Sequence, residues 1–217
     1  MLIKLSLSNN HLSGEVPEQI ASLHELISLE LAANNLSGCI PKKLGMLSRL
    51  LQLNLSQKKF EGNIPVEFAQ LNVIENLDLS GNSMNGTIPS KLGQLNHLET
   101  LNLSHNNLSG TIPLSFVDML SLTTVDISYN QLEGPTPNIT AFQRAPIEAL
   151  TNNKGLCGNV SGLEPCSTSG GNFNNHKTNK ILMLVLSLTL GPLLLALFVY
   201  GISYLFLSNF KHKRIQA

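Results

Sequence analysis

The side chains able to carry chemistry are few, and their spacing suits little of it. The six histidines share no spacing that would gather three of them round one ion, so a metal centre is not expected. No Ser-His-Asp or Cys-His arrangement stands out, and no pair of carboxylates falls in a segment that would form a pocket. Phosphoryl transfer requires a Gly-rich loop, a strand-borne lysine, a His-Arg-Asp and an Asp-Phe-Gly acting together. None of these occurs in the sequence, so no catalytic residue and no cofactor is expected. The three cysteines, Cys39, Cys157 and Cys166, are too few to build a disulfide scaffold. One chemistry remains abundant. Asn-x-Ser/Thr acceptors for a glycan recur along the chain, and Asn35, Asn85, Asn107, Asn138 and Asn159 are the candidates. Asn54 and Asn102 carry the same signal but are expected to point from a sheet, where glycan would block binding.

The totals exclude further classes. The 14 basic and 14 acidic side chains of the 217-residue chain cancel, so no net field draws it to nucleic acid. Only 13% of residues are charged, well below a typical soluble domain. Repeats rich in Leu, Asn, Ser and Gly cause part of that deficit, and one apolar block near the C-terminus causes the rest.

What positions the polar groups is a repeat. Leu2, Leu26, Leu50, Ile74, Leu98 and Leu122 recur at one fixed period, without insertion or deletion. In phase with them run Leu5, Leu29, Leu53, Leu77, Leu101 and Val125, then Leu7, Leu31, Leu55, Leu79, Leu103 and Ile127. Apolar alternation in Leu5-Ser6-Leu7 is the period of a strand with one buried face. Stacking would line such strands into a parallel sheet. An asparagine column follows: Asn10, Asn34, Asn82, Asn106 and Asn130, with Lys58 in the place of the third member. A buried amide there would donate to backbone carbonyls of its own and the adjacent coil. Glycine and proline columns mark the bends, and segments such as Leu44-Gly45-Met46-Leu47 supply short helical turns behind the sheet. No coil can bury its own face, so each depends on its neighbours. Lys58 cannot accept a hydrogen bond and is costly to bury unpaired, so it is expected to bend outward to water and leave a weak spot in the third coil. The last repeat is irregular, with Thr136 between Pro135 and Pro137.

These columns spell LxxLxLxxNxLxGxIPxxLGxL, which resembles the plant-specific subclass of leucine-rich repeats found in receptor-like kinases and receptor-like proteins. The resemblance covers residues 2 to about 138 and implies an α/β solenoid, a right-handed superhelix of six plant-type 24-residue repeats. The expected organisation is repeats over 1–138, a C-terminal cap over 139–166 and a spacer over 167–180. A transmembrane helix over 181–207 and a basic tail over 208–217 follow. Gly155-Leu156-Cys157-Gly158 and the later Cys166 resemble the pair that closes the C-terminal side of such ectodomains, which implies a Cys157–Cys166 disulfide. Cys39 has no partner in view.

Ile181 to Leu207 contains no charged residue and exceeds the roughly 20 residues that cross a bilayer. Lys211, His212, Lys213 and Arg214 follow it, a flank that favours the cytoplasmic side. The first strand begins at once, without a secretory signal or cap ahead of it, so a C-terminal piece of a longer ectodomain or a shortened gene is expected. With an upstream signal peptide the protein would sit in the plasma membrane in a single pass, repeats outside and C-terminus in the cytoplasm. With Met1 as the true start, the coils would remain cytosolic, reduced and unglycosylated.

The expected function is therefore a membrane-anchored recognition module. The resemblance implies a truncated receptor-like kinase ectodomain that perceives a peptide or protein ligand, meets a co-receptor ectodomain and signals through partners. The alternative is a fragment of a serine/threonine receptor kinase gene whose catalytic domain is missing from this chain. Side chains facing out of the sheet are small and polar, without the aromatic or Arg anchors of a strong peptide-binding face. Near the cap, Asp126, Tyr129, Gln131 and Glu133 are the candidate partner surface.

Overall fold

The computed structural model describes residues 1–167. Most of the expected spacer (167–180), the expected span (181–207) and the tail (208–217) lie outside them. No helix among the described residues is long and apolar enough to cross a membrane.

Six three-residue strands, Lys4–Ser6, Ser28–Glu30, Gln52–Asn54, Asn76–Asp78, Thr100–Asn102 and Thr124–Asp126, form one parallel sheet in chain order. The register follows the repeat, for Leu5 pairs with Leu29, Leu29 with Leu53, and Leu101 with Val125. The leucine columns lie behind this sheet. Leu29, Leu53, Leu77 and Leu101 are at most 1% exposed, as are Leu26, Leu50, Ile74 and Leu98. Each fully buried side chain of this size contributes about 1.5–3 kcal/mol.

Five-residue 3-10 turns return each coil. They run over Glu18–Ser22, Lys42–Met46, Val66–Gln70, Ser90–Gln94 and Leu114–Asp118, each entered by a proline. The proline carbonyl accepts from the N–H three residues on, as in Leu44 to Pro41 at 3.1 Å. Proline fixes φ at the entry, and pieces this short favour the tighter helix. Among the described residues the α-helical content is a single turn, Thr140–Gln143.

A second layer of strands lies opposite, which the sequence did not announce. Ser13–Gly14, Asn35–Cys39, Lys59–Gly62 and Ser83–Met84 form one parallel sheet, and Ser109–Thr111, Gln131–Pro135 and Gly155–Cys157 another. These segments carry Gly, Ser, Asn and Pro, poor strand formers, and pair only because the coils beside them hold them in register.

The asparagine column is a ladder. Asn106 Nδ2 donates to Leu79, Leu103 and Ser104 carbonyls at 3.0, 3.1 and 3.2 Å, and its Oδ1 accepts from Met84 N–H at 3.1 Å. Asn34, Asn82 and Asn130 repeat that pattern. Asn10, in the edge coil, donates only to Leu7 and Ser8. The ladder also runs one rung further than the repeat suggests. Asn153 donates to the Ile127 and Leu150 carbonyls at 3.0 and 2.9 Å and accepts from Leu132 N–H. The cap is thus built as a shortened coil, shifted by one residue from the period, with Phe142, Leu150, Leu156 and Val160 buried over the last full coil. Cys157 and Cys166 are disulfide-bonded with Cα atoms 4.8 Å apart.

Lys58 does not bend outward. It is 7% exposed, and its Nζ is buried with no hydrogen-bond partner. The reason is local. Gln57 N–H donates to the Ser80 carbonyl and Lys58 N–H to that of Gly81, which turns the side chain inward as at Asn82, Asn106 and Asn130. Long cationic side chains ordinarily bury the stem and keep the head in water, but here the amine is buried along with its four methylenes. Burial pushes its pKa down to about 8.

At the opposite end, Leu2, Leu7 and Leu12 are 43%, 37% and 41% exposed, although their counterparts one coil on are buried. The first strand is the edge of its sheet.

Candidate functional site

The open face of the main sheet carries the side chains that alternate with the buried leucines. Its middle columns are built by a repeated device. Oδ1 of Asn54, Asp78, Asn102 and Asp126 accepts from the N–H of the serine two residues on at 2.9–3.0 Å and from its hydroxyl at 2.7–2.8 Å. A short acceptor at this point holds the chain in the turn that leaves the strand. One oxygen of Asp78 and of Asp126 is therefore committed to the fold. Nearer the edge strand, Glu30 accepts from Lys4 Nζ at 2.9 Å and from Ser6 Oγ at 2.8 Å. The hydrogen bond from Lys4 foremost, then that from Ser6, holds its carboxyl below the usual carboxylate range. Glu30, Gln52, Asn54, Asn76, Asp78 and Thr100 line a shallow polar depression of about 320 Å³ on this face.

Just beyond each strand, before the ladder rung, the backbone turns left-handed. Asn9, Ala33, Gln57, His105, Tyr129 and Asn152 have φ between 51° and 59°, and Gly81 has 64°. Such angles are unfavourable for most residues and persist only where the surroundings enforce them. Here the enforcement is the coil stack, since His105 N–H donates to Ser128 O and Tyr129 N–H to Thr151 O. The column accordingly presents its side chains at regular steps along one margin of the face. In two successive coils these are rings. His105 and Tyr129 stack with centroids 4.1 Å apart and planes 11° from parallel, and Tyr129 stays 50% exposed.

The four residues expected to form the partner surface fall into different settings. Asp126 stands in the last strand of the main sheet, and Tyr129 in the turn after it, against His105. Gln131 and Glu133 lie on the second layer, in the strand Gln131–Pro135. Gln131 Nε2 donates to Asn107 Oδ1, and Glu133 pairs with Lys154 at 3.0 Å. The sequence reading found Tyr129 but missed its ring partner and the anchor they make together. The signal was present, since His105 and Tyr129 occupy the same column one period apart.

The glycan candidates Asn35, Asn85, Asn107, Asn138 and Asn159 are all exposed, and each lies in or beside a strand of the second layer. Asn54 and Asn102 are half-buried, with Oδ1 held by the serine of their own acceptor motif. Cys39 is a free, exposed thiol. Among the described residues no group of three or more His, Cys, Asp or Glu could hold a metal ion.

Two family models described as leucine rich repeat match the chain, over residues 74–132 and 1–23. No curated protein matches it significantly. Among solved structures, the ectodomain of the plant membrane receptor kinase GASSHO1/SCHENGEN3 from Arabidopsis thaliana, in complex with CASPARIAN STRIP INTEGRITY FACTOR 2, is 43% identical with a TM-score of 0.70. That match covers 76% of this chain and 19% of the ectodomain. The Arabidopsis receptor kinase HAESA, in complex with the peptide hormone IDA and the co-receptor SERK1, is 32% identical with a TM-score of 0.64, over 75% of this chain and 31% of that one. A chain of the BIR3–SERK2 complex from Arabidopsis thaliana is 33% identical with a TM-score of 0.55, and here 61% of this chain covers 69% of its counterpart. The chain thus spans about a fifth of the first of these ectodomains and about two thirds of the last.

Proposed function

The chain belongs to the family of plant leucine-rich-repeat receptors, and from that premise we propose that it is a membrane-anchored recognition module which binds a peptide or protein ligand together with a co-receptor ectodomain. The observation that carries this reading is the exposed His105–Tyr129 stack at the margin of the open sheet face. Aromatic side chains supply much of the energy of protein interfaces, because they bury large area at small cost in side-chain entropy. No other part of the open face offers a comparable anchor, and the stack lies one coil from the cap. Of the structures similar to this chain, HAESA is in complex with a peptide hormone and a co-receptor, and the GASSHO1/SCHENGEN3 ectodomain with CASPARIAN STRIP INTEGRITY FACTOR 2, which supports assigning partners of this kind here.

Anchoring rests on the uncharged run from Ile181 to Leu207 and the basic cluster that follows it. In this arrangement the repeats face the cell exterior and glycans occupy the second layer. A mobility shift after glycosidase treatment of the native protein is the expected sign of export. Absence of a shift, with the protein reduced and cytosolic, would refute the cell-surface placement.

Binding is tested with a SERK-type co-receptor ectodomain immobilised and the full chain in solution. Tyr129→Ala is expected to weaken capture at least tenfold with the unfolding midpoint unchanged, since truncating an aromatic anchor costs about 2 kcal/mol or more. Unchanged capture would remove the stack from the interface.

A further inference from the structure

Four of the five joints between full coils are closed by the same asparagine rung, and the joint between the second and third coils is not. At Asn34, Asn82, Asn106 and Asn130 the amide links a coil to the one before it, donating to Leu7, Leu55, Leu79 and Leu103 and accepting from Leu12, Phe60, Met84 and Leu108. Lys58 holds the equivalent place against Leu31 and Leu36. The Leu31 carbonyl keeps only the amide of its own coil, Asn34, and Leu36 N–H lacks the side-chain acceptor that Leu12, Phe60, Met84, Leu108 and Leu132 have. In the space of the rung lies an amine, nine-tenths buried and without a partner.

We propose that the joint between the second and third coils is a proton-operated hinge, loosened while Lys58 is charged and closed as it becomes neutral. An unpaired ammonium is costly to bury, and the stack can relieve that cost locally by opening at this joint, where the side chain reaches water. A solenoid permits this, because each coil contacts only its neighbours and one joint can open without the rest. The charged groups of the adjoining coils, Glu30, Lys59, Glu61 and Asp78, do not stabilise the ammonium; burial alone acts on it and lowers its pKa from 10.5 to about 8. The sign follows. The open joint holds the proton more tightly than the closed one, so opening is favoured below pH 8 and suppressed as the pH climbs towards 10.5. The two coils ahead of the joint carry Lys4 and Glu30, so the hinge changes how that end of the open face is presented.

The test is rapid-mixing hydrogen exchange on the full chain at pH 7 to 9. Amides of 31–37 and 55–62 are compared with the equivalent amides at the next joints, which carry Asn82 and Asn106, to cancel the intrinsic pH dependence of exchange. In the parent protein the relative protection of the Lys58 joint should rise about tenfold between pH 7 and pH 9. Lys58→Met, which keeps the reach and removes the charge, should abolish the pH dependence. Lys58→Asn should restore the rung and bring protection level with the other joints throughout. Equal protection at all joints at pH 7 in the parent, or an unchanged pH profile in Lys58→Met, overturns the proposal.

Discussion

Replacing one ladder asparagine by alanine should cost more at Asn82 than at Asn106, although the two residues make the same bonds. In Asn106→Ala the lost amide leaves three carbonyls that all keep another donor. Leu79 O retains Asn82 Nδ2, Leu103 O retains Asn130 Nδ2, and Ser104 O retains Gly81 N–H. Only Met84 N–H loses its side-chain acceptor. In Asn82→Ala, Phe60 N–H loses its acceptor in the same way, and Leu55 O loses its side-chain donor as well. The amide that would back it up is absent, because residue 58 is lysine. An unsatisfied buried group costs about 1–3 kcal/mol, so Asn106→Ala should cost about that much and Asn82→Ala about 1–3 kcal/mol more. The cavities left by the two truncations are alike and cancel in the difference. Urea unfolding of both variants at pH 7 measures it, with unchanged slopes as the condition for comparing midpoints. Repeating Asn82→Ala in a Lys58→Asn background should shrink its cost to that of Asn106→Ala, a coupling that a double-mutant cycle isolates. Equal costs in the parent, or no coupling to residue 58, would refute the ladder as the device that joins the coils.

Other outcomes follow from the same geometry. Cys157→Ser opens the loop to Cys166, nine residues away, and should lower stability by about 2.5 kcal/mol by the loop-entropy estimate, read in the same urea assay. Gly93→Ala should cost about 1–3 kcal/mol, because a Cβ there would sit 2.5 Å from the Ser115 carbonyl of the next turn; a neutral effect on the thermal midpoint would mean the turns are not in close contact. Glu30 has a lowered pKa, so its pairing with Lys4 adds stability above pH 4.5 that fades as the pH falls through the folded value. Both partners are partly exposed, so Glu30→Gln should lose less than about 1 kcal/mol at pH 7 and nothing at pH 2, by midpoints at the two pH values.

The sequence displayed the main sheet because its physics is a period. Every leucine column had to face inward once neighbouring coils stacked, and Asn106 and its equivalents could be assigned carbonyl partners from position alone. Features that arise between coils were hidden. The strand Asn35–Cys39 has no strand-like composition and exists because Ser13–Gly14 and Lys59–Gly62 flank it. The cap's rung at Asn153 was concealed by one residue of phase, and the His105–Tyr129 stack by reading each ring singly, although the column that aligns them is the same one that aligned the leucines.

Lys58 is the instructive error. Judged alone, an ammonium belongs in water, and the expectation of an outward turn followed from desolvation. Two backbone hydrogen bonds, Gln57 to Ser80 and Lys58 to Gly81, decide the direction of the side chain first, and they belong to the stack rather than to the residue. The cost of burial is then expressed as a lowered pKa and a missing rung. The missing rung lies in the coil where a weak spot was expected, but the side chain points the opposite way from the one inferred, and the two directions make opposite demands on experiment. A lysine swung into water would leave stability indifferent to its charge. A buried one makes stability rise with pH until the proton is gone, and makes methionine at this position better tolerated than lysine.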